Sequence, residues 1–343
     1  MKNFIEKVKK GYHLSFEEMK VASEEIFNEE TPVKVIKEFL VALAKKGECA
    51  QEVAALATVM KSFATPLRTP RGTFMDNCGT GGDGVNTFNI STTTAFVLAG
   101  AGAELAKHGN RKVSSASGSS DVLEELGIRL DFNEAELTEL LERERLAFLF
   151  APQVHPKMKR IGEIRAEIGQ PTIFNLVGPL TNPYNLTSQF TGISKKDFLM
   201  EYASVLNILG RKRAVVVSGA GGTDEASLAG QNSFVLLDHG DLIPFTLTPE
   251  DVGLQSAPLT AIRGGNAKEN ADLIRSILNG ERGPKFDTVV FNAGIGLFAD
   301  GRVKTIQEGV EKAINSILSG RALQKLEAVV AFSKETREEG LVG

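Results

Sequence analysis

Over residues 1–66 the apolar positions fall at helical spacing. Val33, Ile36, Leu40 and Leu43 recur at intervals of three, four and three, one stripe along a helix. Ser15 followed by Glu18 predicts a capping box, and Thr31-Pro32 opens a helix that Gly47 can stop. The segment reads as four short helices, with most of the stripe used to pack them together. Thr65-Pro66 and Thr69-Pro70 then break the pattern and read as a linker.

From Phe74 the pattern changes to short apolar runs between amphipathic ones. Helices are predicted over 91–100, over 121–126 with Gly127 as its stop, and from Asn133 to about residue 145. Strands are predicted near 104–107 and over 148–150. Helix returns after His155 and gives way to the turn Asn175-Leu176-Val177-Gly178-Pro179-Leu180-Thr181-Asn182-Pro183. Ser194 with Asp197 starts a further helix, and 214–218, 234–237, 288–291 and 328–331 are the later strand candidates. Such alternation predicts an α/β architecture with a central, mostly parallel sheet.

Composition narrows the picture. The chain has 343 residues, a length that suggests about two domains. Lys and Arg total 39 against 43 Asp and Glu, a net charge of −4, which gives no electrostatic reason to expect nucleic-acid binding. Cys49 and Cys78 are the two cysteines, far apart and outside any ligand pattern, so neither a disulfide framework nor a zinc site is expected. The amino terminus lacks the apolar core of a signal peptide, and no apolar run is long enough to span a membrane. The chain reads as cytosolic.

The candidate chemistry is concentrated between Asp76 and Gly127. The glycine-rich turn Gly79-Thr80-Gly81-Gly82-Asp83-Gly84 is followed by a hydroxyl-rich helix start at Asn89-Ile90-Ser91-Thr92 and a basic turn, Lys107-His108-Gly109-Asn110-Arg111. A second hydroxyl and glycine cluster, Ser114 to Ser120, closes it. Glycines let backbone N–H groups approach an anion, and helix N-termini present free N–H groups. Two such cradles with cations between them suit a ligand with more than one phosphate. Gly79, Gly81 and Gly84 also match a dinucleotide fingerprint, but there the helix opens at the third glycine. Here it is predicted near Ser91, and Asp83 would repel a bare pyrophosphate.

Together the blocks at 79–83, 89–92, 107–111 and 117–127 resemble the anthranilate phosphoribosyltransferase family. The resemblance continues at Arg165, at 175–183 and at Gly222-Thr223-Asp224-Glu225, and covers essentially the whole chain. It implies a small helical domain (1–70 and 158–187) forming the acceptor pocket and a homodimer contact. A large α/β domain of the nucleoside phosphorylase/phosphoribosyltransferase type (71–157 and 188–343) would bind 5-phosphoribosyl pyrophosphate and Mg²⁺, two ions per subunit. That the helical domain is discontinuous is not visible in periodicity.

The resemblance also implies roles. Gly79, Thr80, Gly81, Gly82, Asp83, Thr87, Asn89, Ser91, Thr92, Lys107 and Ser119 would hold the donor. Gly79, His108, Asn110, His155, Arg165 and Gly178 would shape the anthranilate pocket, with Arg165 as a bidentate partner for its carboxylate. Asp224 and Glu225, with Ser91, would hold the metal, as a hard cation requires oxygen ligands. Relatives often have a basic residue where Ala116 stands here, so one phosphate contact fewer is expected, with Arg111 and Lys112 as candidates to compensate. An aromatic amine is already neutral at pH 7. Positioning and charge stabilisation are therefore the expected catalytic terms, and His108 has at most a minor part.

Three other readings remain: a dinucleotide-binding oxidoreductase, a catalytically silent nucleic-acid-binding relative, and a nucleoside phosphorylase. A thermal-shift comparison separates the first. The phosphoribosyl donor with Mg²⁺ should raise the melting temperature, since ligand at about 100 times Kd adds roughly 2.7 kcal/mol. A shift with NAD, and none with donor plus Mg²⁺, would overturn the resemblance.

Overall fold

The computed structural model describes residues 1–68, 70–111 and 118–342, with side chains through residue 337. Four helices come first: α1 (Lys2–Lys9), α2 (Phe16–Phe27), α3 (Val33–Lys46) and α4 (Ala50–Ser62). The expected capping box is present, Ser15 Oγ accepting from the Glu18 N–H and Glu18 Oε2 from the Ser15 N–H. Pro32 stands at the N-cap of α3, and Gly47 ends it at φ 88°. Of the apolar stripe on α3, Ile36, Leu40 and Leu43 are buried while Val33 is exposed. The Thr69 part of the expected linker lies outside the described residues.

The sheet begins with β1 (Phe74–Asp76), then α5 (Ile90–Gly100), β2 (Leu105–Gly109), α6 (Ser119–Leu126), α7 (Glu134–Glu144) and β3 (Leu146–Phe150). Next come α8 (Ala151–Val154), α9 (Met158–Ile168), α10 (Phe174–Val177), β4 (Leu186–Gly192) and α11 (Leu199–Ile208). The strands β5 (Arg213–Ser218), β6 (Asn232–Asp238) and β7 (Asp241–Leu247) precede α12 (Ala267–Leu278), α13 (Pro284–Ala299), α14 (Ile306–Leu318) and α15 (Arg321–Val342). The strand order is β3-β2-β1-β4-β5-β6-β7. Pairings from β3 to β5 are parallel, and β5–β6 and β6–β7 are antiparallel. The order reverses between β1 and β4, the switch point at whose carboxyl end open α/β sheets bind ligands.

Two apolar clusters sit on opposite faces of the sheet. Val215, Val217, Phe234 and Leu236 pack with α5, α13, α14 and α15. Ala214, Val216, Val235 and Leu237 face α11 and the helical bundle. The alternation follows from the two-residue period of a strand covered on both faces. Ile161 and Ile164 of α9, and Phe174 to Leu180 beyond it, join the bundle cluster rather than the sheet's other face.

Two predicted strands are helices. Residues 288–291 lie inside α13, and 328–331 inside α15. A continuous apolar run cannot separate a buried strand from a buried helix. In α13 that run continues to Ala299 from Pro284 in the first turn, and nearly every side chain is buried. In α15, buried Ala322, Leu326, Val329 and Phe332 recur at intervals of three and four. The Ser194 start is also shifted, since a 3-10 turn at Lys196–Phe198 precedes α11.

The crossing of α13 and α14 is set by Gly294 and Gly309. A Cβ on Gly294 would stand 2.7 Å from the Val310 backbone nitrogen. Gly294→Ala gains helix propensity worth roughly 1 kcal/mol but forces a backbone shift costing about 1–3 kcal/mol. Calorimetry should therefore give a lower melting temperature; an unchanged or raised one would mean that the crossing relaxes freely.

Candidate active site

The site residues follow the carboxyl ends of the parallel strands. The glycine turn comes after β1, Lys107 and His108 end β2, and His155 follows β3. Gly192 ends β4, and Asp224-Glu225 lie on the loop after β5. Helix α5 starts at Ile90, not at Gly84, so the dinucleotide condition fails.

Within the turn, Gly81, Gly82 and Gly84 adopt φ of 69°, 79° and 74°, which a side chain would oppose. Gly79 has a different reason to be glycine. A Cβ there would lie 2.5 Å from Asp224 Oδ2, and one on Gly192 or Gly219 would overlap the Asp224 or Glu225 backbone. The carboxylate turn is thus pressed against three glycines, one after β1, one ending β4 and one just after β5. The Gly81 N–H donates to Asp224 Oδ2 at 2.6 Å, the Thr80 N–H to the Gly192 carbonyl at 3.0 Å, and the Asp224 N–H reaches Asp83 Oδ2 at 3.4 Å. Asp83 Oδ1 accepts from the Val85 N–H, ordering the loop. The end of the loop is pinned elsewhere: Thr87 bridges Arg263, and the Phe88 N–H donates to the Ile262 carbonyl.

Three carboxylates crowd here. Burial, and then the Asp83 charge, pushes Asp224 up to about 7. Burial and Asp224 push Glu225 well above the usual range, while Lys107 and the Ser91 backbone N–H oppose the rise. Lys107 is almost fully buried, and its ammonium donates to Ser91 Oγ at 3.3 Å. A hard cation would relieve the crowding, and the donors are all oxygens, so Asp224, Glu225 and Ser91 fit a magnesium site.

Around the helix start, Asn89 Oδ1 accepts from Asn270 Nδ2 at 2.9 Å. Thr92 is buried, and its Oγ1 has no protein partner among the described residues. At the amino end of α6, Ser119 Oγ exchanges hydrogen bonds with the Asn110 backbone at 3.0 and 3.1 Å. Arg111 is not free to compensate for Ala116: its guanidinium is held by Glu124 and Asp121 and lies over Phe150. Ala116 and Lys112 lie outside the described residues.

His108 and His155 meet edge to face, ring centroids 5.3 Å apart, and His108 Nδ1 lies 3.2 Å from the Gly178 carbonyl. Burial lowers His108 to about 3, with His155 adding to it, and His155 to about 4. Both rings are neutral at pH 7. Arg165 is half-buried on α9, which lowers its pKa, lies over Phe174 and donates to Asn175 Oδ1 at 3.2 Å. Desolvation is what lowers its pKa, with no carboxylate acting on it among the described residues. Asn175 also lines a cavity of about 610 Å³ between α3, the 170–176 segment and Thr80 to Gly82. The cavity meets the glycine turn on one side and Asn175, the partner of Arg165, on the other; Arg165 itself does not line it.

Sequence reasoning gave no role to Asp76, Asn182 or Asn270. Asp76 is fully buried at the end of β1 and accepts from the His108 N–H and Asn182 Nδ2, burial raising its pKa. Asn182 also donates to the Ala106 carbonyl, tying the 178–183 turn to β2. The available signal was a polar residue ending an apolar run.

The helical bundle and the α/β unit, with the glycine turn and paired carboxylates at the switch point, match the two domains of the glycosyl transferase family. The glycosyl transferase helical-bundle model matches residues 2–64, and the family's a/b-domain model residues 71–323. The anthranilate phosphoribosyltransferase of Exiguobacterium sibiricum is 55% identical over 327 residues, 95% of this chain and 96% of that protein. The crystal structure of the Thermus thermophilus enzyme matches with TM-score 0.91 at 41% identity, covering 96% of this chain and 99% of that one. The Saccharomyces cerevisiae enzyme in complex with PRPP and Mg matches with TM-score 0.84 at 28% identity, over 93% and 92%. This chain belongs to the anthranilate phosphoribosyltransferase family.

The histidine pair sets a pH dependence. Ordinary histidine titrates at 6.5, whereas folded His108 and His155 stay neutral down to about 3 and 4. Between pH 6.5 and those values the unfolded chain binds more protons, so stability falls as pH drops. His108→Asn with His155→Asn should flatten the fall in melting temperature from pH 6.5 to about 4, with Asp76 and Lys107 unchanged in both proteins. An equally steep fall would show that the rings protonate in the folded state.

Proposed function

We propose that the chain transfers the 5-phosphoribosyl group from 5-phosphoribosyl 1-pyrophosphate to the amine of anthranilate. The products are N-(5-phosphoribosyl)anthranilate and pyrophosphate, a step of tryptophan biosynthesis. The observation behind it is the packing of the Asp224-Glu225 turn against Gly79 and Gly192, which sets oxygen ligands beside an anion cradle. Membership of the family and the Saccharomyces cerevisiae complexes, one with PRPP and Mg and one with 4-fluoroanthranilate, support the same reading.

Asp224, Glu225 and Ser91 hold magnesium, two ions per subunit, which neutralises charge growing on the departing pyrophosphate. The N–H groups of Gly79 to Gly82, the start of α5, Lys107 and Ser119 bind phosphate oxygens. Asp83 and Asn89 order the loop and helix start around them, with Thr80, Thr87 and Thr92 adding hydroxyls. Arg165 clamps the anthranilate carboxylate, and Asn110, His155 and Gly178 complete the acceptor pocket.

The anthranilate nitrogen forms its bond to the ribose anomeric carbon as the bond to pyrophosphate breaks, and the amine then loses a proton. His108 Nε2 is buried without a protein partner among the described residues. A ring that titrates at about 3 is a weak proton acceptor at neutral pH. Its part is to orient the acceptor. Residues 1–70 with 158–187 form the helical domain, which also makes a homodimer contact, and the rest forms the α/β domain. No helix among the described residues is long and apolar enough to cross a membrane, and the enzyme works in the cytoplasm.

The assay is pyrophosphate release on mixing the protein with donor, anthranilate and Mg²⁺; none released, or phosphate consumed with a nucleoside instead, refutes the reading. Arg165→Ala should raise the anthranilate KM about ten- to a hundred-fold, from a lost charged hydrogen-bonded pair of roughly 1.5–3 kcal/mol. The donor KM should change little. Equal rises for both substrates would place this arginine elsewhere.

A further inference from the structure

Helix α13 is apolar and almost fully buried, yet it contains one asparagine, Asn292, with no accessible surface. Its Oδ1 accepts from the Ala226 N–H at 2.9 Å, and its Nδ2 donates to the Ala226 carbonyl at 2.9 Å. A third bond, to the Thr288 carbonyl at 2.9 Å, fixes the amide on its own helix. Asn292 therefore satisfies both backbone groups of the residue that follows Glu225. Ala226 is itself buried, and no strand pairs with the chain there. Asn232 holds the next stretch in the same way, its Oδ1 accepting from Ala220 and Ser227 and its Nδ2 donating to the Ser227 carbonyl.

We propose that Asn292 is a positioning residue for cation binding, clamping the turn so that the Asp224 and Glu225 carboxylates stay together against their mutual repulsion. Two crowded carboxylates on an unpaired loop separate unless the backbone is fixed. The glycine contacts block movement toward β1 and β4, and the amide clamp blocks movement away from them. The inference rests on the assignment of Asp224 and Glu225 as metal ligands.

The test follows Mn²⁺ binding by electron paramagnetic resonance, with and without 5-phosphoribosyl pyrophosphate, alongside unfolding midpoints. Asp224→Asn with Glu225→Gln should lose Mn²⁺; unchanged binding would sink the metal assignment itself. With that established, Asn292→Ala should weaken Mn²⁺ at least ten-fold, raise the cation needed for half-maximal rate, and leave the anthranilate KM unchanged. Ser316→Ala removes a buried hydrogen bond to the Val97 carbonyl in the same helical layer, and should leave Mn²⁺ affinity alone. Wild-type affinity in folded Asn292→Ala, or an equal loss in Ser316→Ala, would overturn the clamp. If Asn292→Ala does not fold, Asn292→Asp, which keeps the acceptor and loses both donors, is read by the same criteria.

Discussion

Everything at the site depends on a close approach of backbone to backbone. The Asp224-Glu225 turn lies against Gly79, Gly192 and Gly219, each at a distance no side chain could share. The carboxyl ends of three neighbouring strands meet there because β1 and β4 flank the switch point and β5 lies next to β4. Acidic side chains are thereby forced beside backbone N–H groups that would otherwise serve an anion, as the Gly81 N–H bond to Asp224 shows. Carboxylates and backbone N–H groups held side by side are what the proposed binding of magnesium and pyrophosphate rests on.

Polar groups buried beneath this surface keep the loops in register. Asp76 ties the end of β2 to the turn containing Asn182, and so fixes where His108 faces Gly178. Asn270 holds Asn89 at the start of α5, and Asn292 holds the residue after Glu225. Buried amides and carboxyls of this kind are costly unless their partners are all in place. At the site, Thr92 Oγ1 and the Nε2 atoms of His108 and His155 are buried without protein partners among the described residues, as are Glu104 Oε2 and Tyr184 Oη elsewhere in the fold.

Much of this was legible beforehand. The glycine turn, the hydroxyl-rich helix start and the acidic pair are local signals, because glycine, N-cap and carboxylate chemistry act within a few residues. The capping box at Ser15 and Glu18 and the stop at Gly127 were readable for the same reason. The strands assigned at 288–291 and 328–331 went wrong because β-branched apolar runs look alike whether they fill a sheet or a buried helix. Arg111, read as a candidate phosphate ligand, is instead taken by Glu124 and Asp121, ten and more residues away.

What the sequence by itself determined were the elements with local causes and the kinds of groups available: a glycine turn, an acidic pair, a lysine and a guanidinium. Only the tertiary structure decided which of them meet. Nothing in the chain's spacing places Asp224 against Gly79, 145 positions away, or has Asn292 grip Ala226. Those contacts come from strand order and from the packing of α13, which bring distant segments together at one end of the sheet. Local preference is written residue by residue, whereas the site is a property of non-local closure, and closure exists only once the core has formed.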